Sequence, residues 1–136
     1  MDDLKRFVEQ DAFARHLGIE LLKYGDGRAT ARLTVGPQHL NSAGTLHGGA
    51  IFSLADAAFS AAANSHGVLA LSIDASISYF QALQSGTLTA EAREVARNPK
   101  LATYLIDVTD GSGALIAHFR GTVYRKSAAI GDVFAP

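Results

Sequence analysis

The spacing of apolar positions changes several times along the chain, and each change marks an element. Leu4, Phe7, Val8, Phe13, Ala14 and Leu17 recur at roughly helical spacing, which predicts one short amphipathic helix over 4–17. Gly18 is placed to end it. Ile19 to Tyr24 reads as a strand, and Gly25-Asp26-Gly27 has turn chemistry. From Arg28 to Val35 the alternation is strict: Ala29, Ala31, Leu33 and Val35 fall on one face and Arg28, Thr30, Arg32 and Thr34 on the other. That is a half-buried strand, and with its predecessor it makes a hairpin. A loop runs from Gly36-Pro37 to about Leu46.

His47 to His66 behaves differently. The segment is rich in alanine and poor in strand formers, so it should be helical. Its apolar residues, among them Ile51, Leu54, Ala58, Phe59 and Ala62, cover nearly every side, and a helix apolar all round is a buried helix. At 1.5 Å per residue it would be about 30 Å long. The C-terminal half of the chain has to enclose it. There Leu71, Ile73, Ala75, Ile77 and Tyr79 alternate with Ser72, Asp74, Ser76, Ser78 and Phe80; Gly86 marks a turn; Thr87 to Arg97 continues as strand. Asn98-Pro99 is a second turn, and Asp110-Gly111-Ser112-Gly113 joins the runs Leu101–Thr109 and Ala114–Arg125. The order is helix, two strands, long helix, four strands, an α+β arrangement. Residues 1–126 form one domain, and 127–136 read as a patternless tail, expected to be disordered.

Composition narrows the class. The 136 residues suit one domain with a real core, with 48% hydrophobic and 18% charged residues. Twelve basic and 13 acidic residues give a net charge of −1, so nothing points to nucleic acid. There is no cysteine, hence no disulfide and no thiolate chemistry. No apolar h-region follows Met1-Asp2-Asp3, and the apolar stretch from Gly48 to Ala63 is too short and too polar for a bilayer. The expectation is a cytoplasmic protein with no membrane and no nucleic-acid partner. The five histidines show no metal-ligand spacing, and no metal or separate cofactor is expected.

Two features of the long helix carry chemistry. Gly48-Gly49 opens it. Backbone without side chains lets a ligand approach, and first-turn N–H groups lack internal partners and suit a carbonyl oxygen that becomes an oxyanion; tight helix–sheet packing explains glycines equally well. Asp56 lies in the middle of the apolar run, with Phe52, Ser53, Phe59 and Ser60 at the neighbouring helical positions and no Lys or Arg there. Burial without a partner is costly and raises a carboxyl pKa, which makes a candidate general base or nucleophile. A distant Arg could instead neutralise it.

His47-Gly48-Gly49 with Leu54-Ala55-Asp56, the Asp nine residues after the His, resembles the phenylacetate-pathway (PaaI-like) hotdog thioesterases. Asn41, six residues before His47, fits the family pattern Leu-Asn-x-x-Gly-x-x-His-Gly-Gly, as does Asn64. The likeness spans roughly Phe13 to Lys126. It implies the hotdog fold, one long buried helix wrapped by an antiparallel sheet of about five to six strands. It implies acyl-CoA as substrate, CoA being part of that substrate and not a cofactor. Asp56 would be the acid/base or nucleophilic residue, Gly48 would offer its N–H to the thioester carbonyl, Asn41 would orient carbonyl or water, and His47 would shape the helix start. Gly49, Ser60, Asn64 and Phe80 would line the pocket, with Phe52, Phe59 and Tyr79 making it apolar, and Arg97 and Lys100 would meet the CoA phosphates. Gly48 and Asp56 are eight residues apart, about 12 Å along one helix, too far to serve one thioester. Two antiparallel copies solve this, and the family's shared interface site implies a dimer or a dimer of dimers. Other readings are a hotdog enoyl-CoA hydratase, whose Asp/His motif is missing here, and a non-catalytic acyl-CoA-binding module, which would not need Asp56.

Overall fold

The computed structural model describes residues 2–134. Two short helices, α1 (Asp2–Glu9) and α2 (Ala12–Leu17), precede the hairpin of β1 (Glu20–Gly25) and β2 (Arg28–Thr34). A 3-10 turn at Pro37–His39 leads to α3 (Gly48–Asn64). Then come β3 (Val68–Tyr79), β4 (Thr87–Arg97), β5 (Leu101–Thr109) and β6 (Leu115–Ala129), with a last 3-10 turn at Ile130–Phe134. The strands form one six-stranded sheet in the order β1-β2-β4-β5-β6-β3, every neighbouring pair antiparallel. With α3 laid across one face, this is the hotdog arrangement.

Alanines along α3 let the helix sit close to the sheet. Leu54, Ala55, Ala58 and Ala62 are fully buried there against inward residues Leu33, Leu88, Ile106 and Phe119. Phe59 stacks at a tilt on Tyr104 and Phe119, with centroids 5.8 and 5.5 Å away. Beneath it a Cβ on Gly121 would stand 2.6 Å from the Phe59 ring, so β6 needs glycine at that point. The outward sheet face carries the alternating polar set, Arg28, Arg32, Glu91, Arg93, Asp107 and Arg120.

Four expectations need correction. The single helix over 4–17 is two, because Asp11 accepts a hydrogen bond from Ala14 N–H (3.0 Å) and so starts a new helix. The long helix spans Gly48–Asn64, since His47 is its N-cap and Ser65 its C-cap. Beyond Lys126 the chain is ordered: β6 continues to Ala129, Ile130 is buried, and its N–H donates to Gly67 O at 2.9 Å. Residues 135 and 136 of the expected tail lie outside the described residues. Finally, the alternation in β3 does not separate a buried from an exposed face. The strand is the sheet edge and carries two irregularities, leaving Leu71 and Ile73 at 50% and 60% exposure.

Candidate active site

The approach to α3 is built by two side chains. His39 is buried; its Nδ1 accepts from Gly36 N–H (2.9 Å), so in the neutral ring Nε2 carries the proton and donates to Leu17 O (2.7 Å). Its own carbonyl accepts from His47 N–H (2.7 Å). Asn41 holds the loop behind it: Oδ1 accepts from the N–H groups of Ala43 and Thr45 (2.9 and 3.1 Å), and Nδ2 donates to Thr45 Oγ1 (2.9 Å). In this chain the Asn41 amide is engaged by its own loop. It aims the helix start rather than an open ligand position.

His47 caps α3 by accepting the Gly49 N–H on Nδ1 (2.8 Å). A Cβ on Gly49 would lie 3.0 Å from that nitrogen, so the cap depends on the glycine. The Gly48 carbonyl accepts from Tyr79 Oη–H of β3 at 2.9 Å, and the Tyr79 ring would sit 3.2 Å from a Gly48 Cβ. The packing reading of Gly48-Gly49 therefore holds. Among the described residues the Gly48 N–H has no acceptor, while its neighbour on Gly49 is capped. One donor at the positive end of α3 remains directed outward. Beside it is a mainly apolar cleft of about 520 Å³, walled by Phe13, Leu17, His47, Gly49, Phe52 and Tyr79.

Asp56 lies two turns further along the same helix, half-buried. Among the described residues it has no hydrogen-bond or ion-pair partner; the four ion pairs are Arg32–Glu20, His66–Glu94, Arg97–Glu94 and His118–Asp107. Burial pushes its pKa up, and the carboxylate of Asp11 adds to the rise. Ser60 stands one turn later on the same side, at the mouth of a second cleft of about 220 Å³.

The remaining expected site residues are scattered. Asn64, expected in the pocket, is fully buried and staples α3 to β3: Nδ2 donates to Ser60 O and Ala70 O (2.9 and 3.2 Å) and Oδ1 accepts from Ala70 N–H (2.9 Å). Phe80 is 57% exposed just past β3 and lines neither cleft, whereas Phe52 and Tyr79, expected beside it, line the larger one. Phe59 belongs to the closed core. Arg97 lies 3.6 Å from the Glu94 carboxylate, and Lys100 is exposed in the β4–β5 turn, near the C-terminal end of α3, where His66 also meets Glu94. Three site-building groups escape sequence reasoning: the Tyr79 hydroxyl, His39 and Asp11. The first two act across a distance in sequence that spacing alone does not reveal. Asp11 carries a readable signal, its cap position before Ala12.

A six-stranded hotdog sheet, a glycine-opened helix and an unpaired acid on that helix define the class of hotdog proteins to which thioester hydrolases belong. The chain belongs to the Thioesterase superfamily, which it matches over residues 43–117. It is 36% identical to the acyl-coenzyme A thioesterase PaaI of Escherichia coli K12, over 90% of this chain and 88% of that one. It is 47% identical to an Archaeoglobus fulgidus protein that carries the provisional name of an esterase, over 86% of this chain and 77% of the relative. Among solved structures, that of the E. coli PaaI protein from the phenylacetic acid degradation operon covers 93% of each chain, with a TM-score of 0.89 at 34% identity.

Proposed function

We propose that this protein hydrolyses acyl-CoA thioesters at sites shared between two subunits. The observation that carries the reading is the Asp56 carboxylate, held half-buried on an apolar helix with no partner among the described residues. A side chain kept at that energetic cost is expected to do chemistry. The free Gly48 N–H supplies the complementary group, a fixed donor for the oxygen that becomes negative as the carbonyl is attacked. The two stand about 12 Å apart along α3, so each thioester takes Gly48 from one subunit and Asp56 from the other. Asp56 takes a proton from water as the water oxygen adds to the carbonyl carbon. The C–S bond then breaks, and the thiolate leaves as CoA with a proton. In the variant route Asp56 attacks the carbon itself and water opens the resulting anhydride; single turnover in oxygen-18 water labels the Asp56 carboxyl only by that route.

Antiparallel pairing of two β3 edges brings the β4–β5 turn of one subunit to the end where the partner's α3 begins. That places the exposed Lys100, and Arg97 beside it, to meet CoA phosphates. Small aromatic or medium-chain acyl groups, a dimer-of-dimers assembly, a cytoplasmic setting and a part in phenylacetate breakdown complete the proposal, supported by the likeness to PaaI.

Thiol release from a panel of acyl-CoAs tests the activity. Asp56→Asn should lower kcat by roughly 10²–10⁴-fold, the usual worth of a positioned base, with its circular dichroism unchanged. Binding of acyl-CoA without thiol release by the native protein would mean a binding module instead. Sharing is tested by mixed dimers of an Asp56→Ala chain with a Gly48→Pro chain. One site then collects both lesions and the other is intact, so activity returns on mixing; self-sufficient chains would stay inactive.

A further inference from the structure

The N-terminal helices meet at an elbow, Gln10-Asp11, and α2 packs on α3. Asp11 is anchored there by its cap bond to Ala14 N–H. It lines the 220 Å³ cleft together with Phe7, Leu21, Ala57 and Ser60. Ala57 and Ser60 follow Asp56 by one residue and by one helical turn, so this cleft opens beside the catalytic carboxylate. The hydrolytic route through Asp56 and Gly48 makes no use of the elbow, and the family motif does not reach it.

We propose that Asp11 is a positioning residue of the hydrolytic site: from its anchored place at the elbow it governs the charge state in which Asp56 meets water, without touching substrate. The proposal rests on Asp56 as the water-activating group. Its support is spatial and electrostatic together. Asp11 lines one cleft with Ala57 and Ser60, which follow Asp56 on α3, and its carboxylate adds to the rise that burial gives the Asp56 pKa. Neighbouring carboxylates disfavour each other's ionisation, so Asp11 strengthens Asp56 as a base.

No ion pair or hydrogen bond joins another charged group to Asp56 among the described residues. Around the elbow the titratable groups are Lys5, Arg6, Glu9, Arg15 and Tyr24, which line neighbouring clefts, and of the charged groups of β1, Glu20 pairs with Arg32 and Lys23 lines a cleft with Arg28 and Arg93. The ionisable side chains of β2, Arg28 and Arg32, alternate with buried alanines and leucine and so stand on the far face of the sheet. Glu91, Arg93, Asp107, His118 and Arg120 of β4, β5 and β6 are in register with them on that same face. Of the inward groups, Glu94 accepts from Tyr104 and pairs with His66 at the C-terminal end of α3, and Tyr79 bonds Gly48 at the other end.

Asp11→Asn tests the idea, because asparagine keeps the cap acceptor and the cleft shape and removes only the charge. The acid limb of kcat/KM against pH, measured with the best acyl-CoA of the panel, should move to lower pH. At a pH below the wild-type midpoint this reads as roughly a doubling of rate or more. A carbon-13 titration of the Asp56 carboxyl should move in the same direction, with the circular dichroism unchanged and the melting temperature at neutral pH no lower than that of the native protein. Asp11→Ser, also a capping residue, must repeat the shift and serves if the first variant folds poorly. A merely structural Asp11 would leave both titrations in place, and that result overturns the proposal. Full activity of Asp56→Asn would instead remove the base assignment, and the carbon-13 titration would still report whether Asp11 acts on Asp56.

Discussion

Asp56 and Asn64 are on one helix, eight residues apart, one half-buried and one fully buried, and they illustrate opposite uses of a polar side chain in apolar surroundings. Asn64 has all its hydrogen bonds made within the fold; Asp56 has none among the described residues. The second case predicts a stability gain on removal. Because the folded-state pKa of Asp56 is raised, first by burial and then by Asp11, its penalty is absent below the ordinary Asp value of 3.8, grows as pH rises from there, and is complete above the raised folded pKa. Asp56→Asn should therefore melt higher than the native protein at neutral pH, by a few degrees for a gain of about 1 kcal/mol. The gap should close on acidification below the ordinary Asp value of 3.8. A native protein that melts higher at neutral pH would mean that Asp56 is stabilised by a contact, and with that the unpaired-base argument fails. This residue was legible in the sequence because an acid inside an all-apolar helix conflicts with its surroundings. The Asn64 role was not legible: it depends on Ala70, whose approach to the helix end is set by the turn into β3.

At the level of elements, both ends of α3 are tied down by groups from elsewhere. Its start is held by the His47 cap and the Tyr79 hydroxyl, its finish by Asn64, by Ser65, which accepts from Gly27 N–H (2.8 Å), and by His66 on Glu94. Asn64→Ala would leave the Ala70 N–H and carbonyl without their side-chain partner in a closed region. Roughly 2–4 kcal/mol should be lost, read in urea as a lower midpoint with an unchanged slope. If the midpoint moved by less than a few tenths of a kcal/mol, water would be reaching the staple and the end of α3 would be looser than described. The strands β2 and β5 could be read from periodicity, because each packs one regular face on the core, and the long helix from its alanine-rich run, apolar on nearly every side. The N-terminal pair could not be read so simply. Its apolar spacing continues straight through the elbow, and only the local competition of the Asp11 side chain for Ala14 N–H divides it.

In the whole molecule the sheet has two edges, β1 and β3, and the second is the longer and more apolar. β3 is a 12-residue edge strand, about 40 Å long, with Leu71, Ile73 and Tyr79 along it and Phe80 just past it, between 48% and 60% exposed. A long, apolar, unpaired edge invites a second strand, and a second copy of the same strand in antiparallel register also brings Gly48 of one helix toward Asp56 of the other. Under the proposed shared site, assembly and catalysis depend on the same edge. Ile73→Lys separates them from folding: the side chain is already 60% exposed in the single chain, so the subunit should stay folded, while a charge on the seam should oppose pairing. Sedimentation should show the variant as monomer at concentrations where the native protein is associated, with thiol release reduced to roughly a hundredth or less, as expected when the oxyanion donor is withdrawn. Raising protein concentration should restore size and rate together. A folded monomer with native activity would contradict the shared site, and an associated variant with native activity would move the seam away from β3.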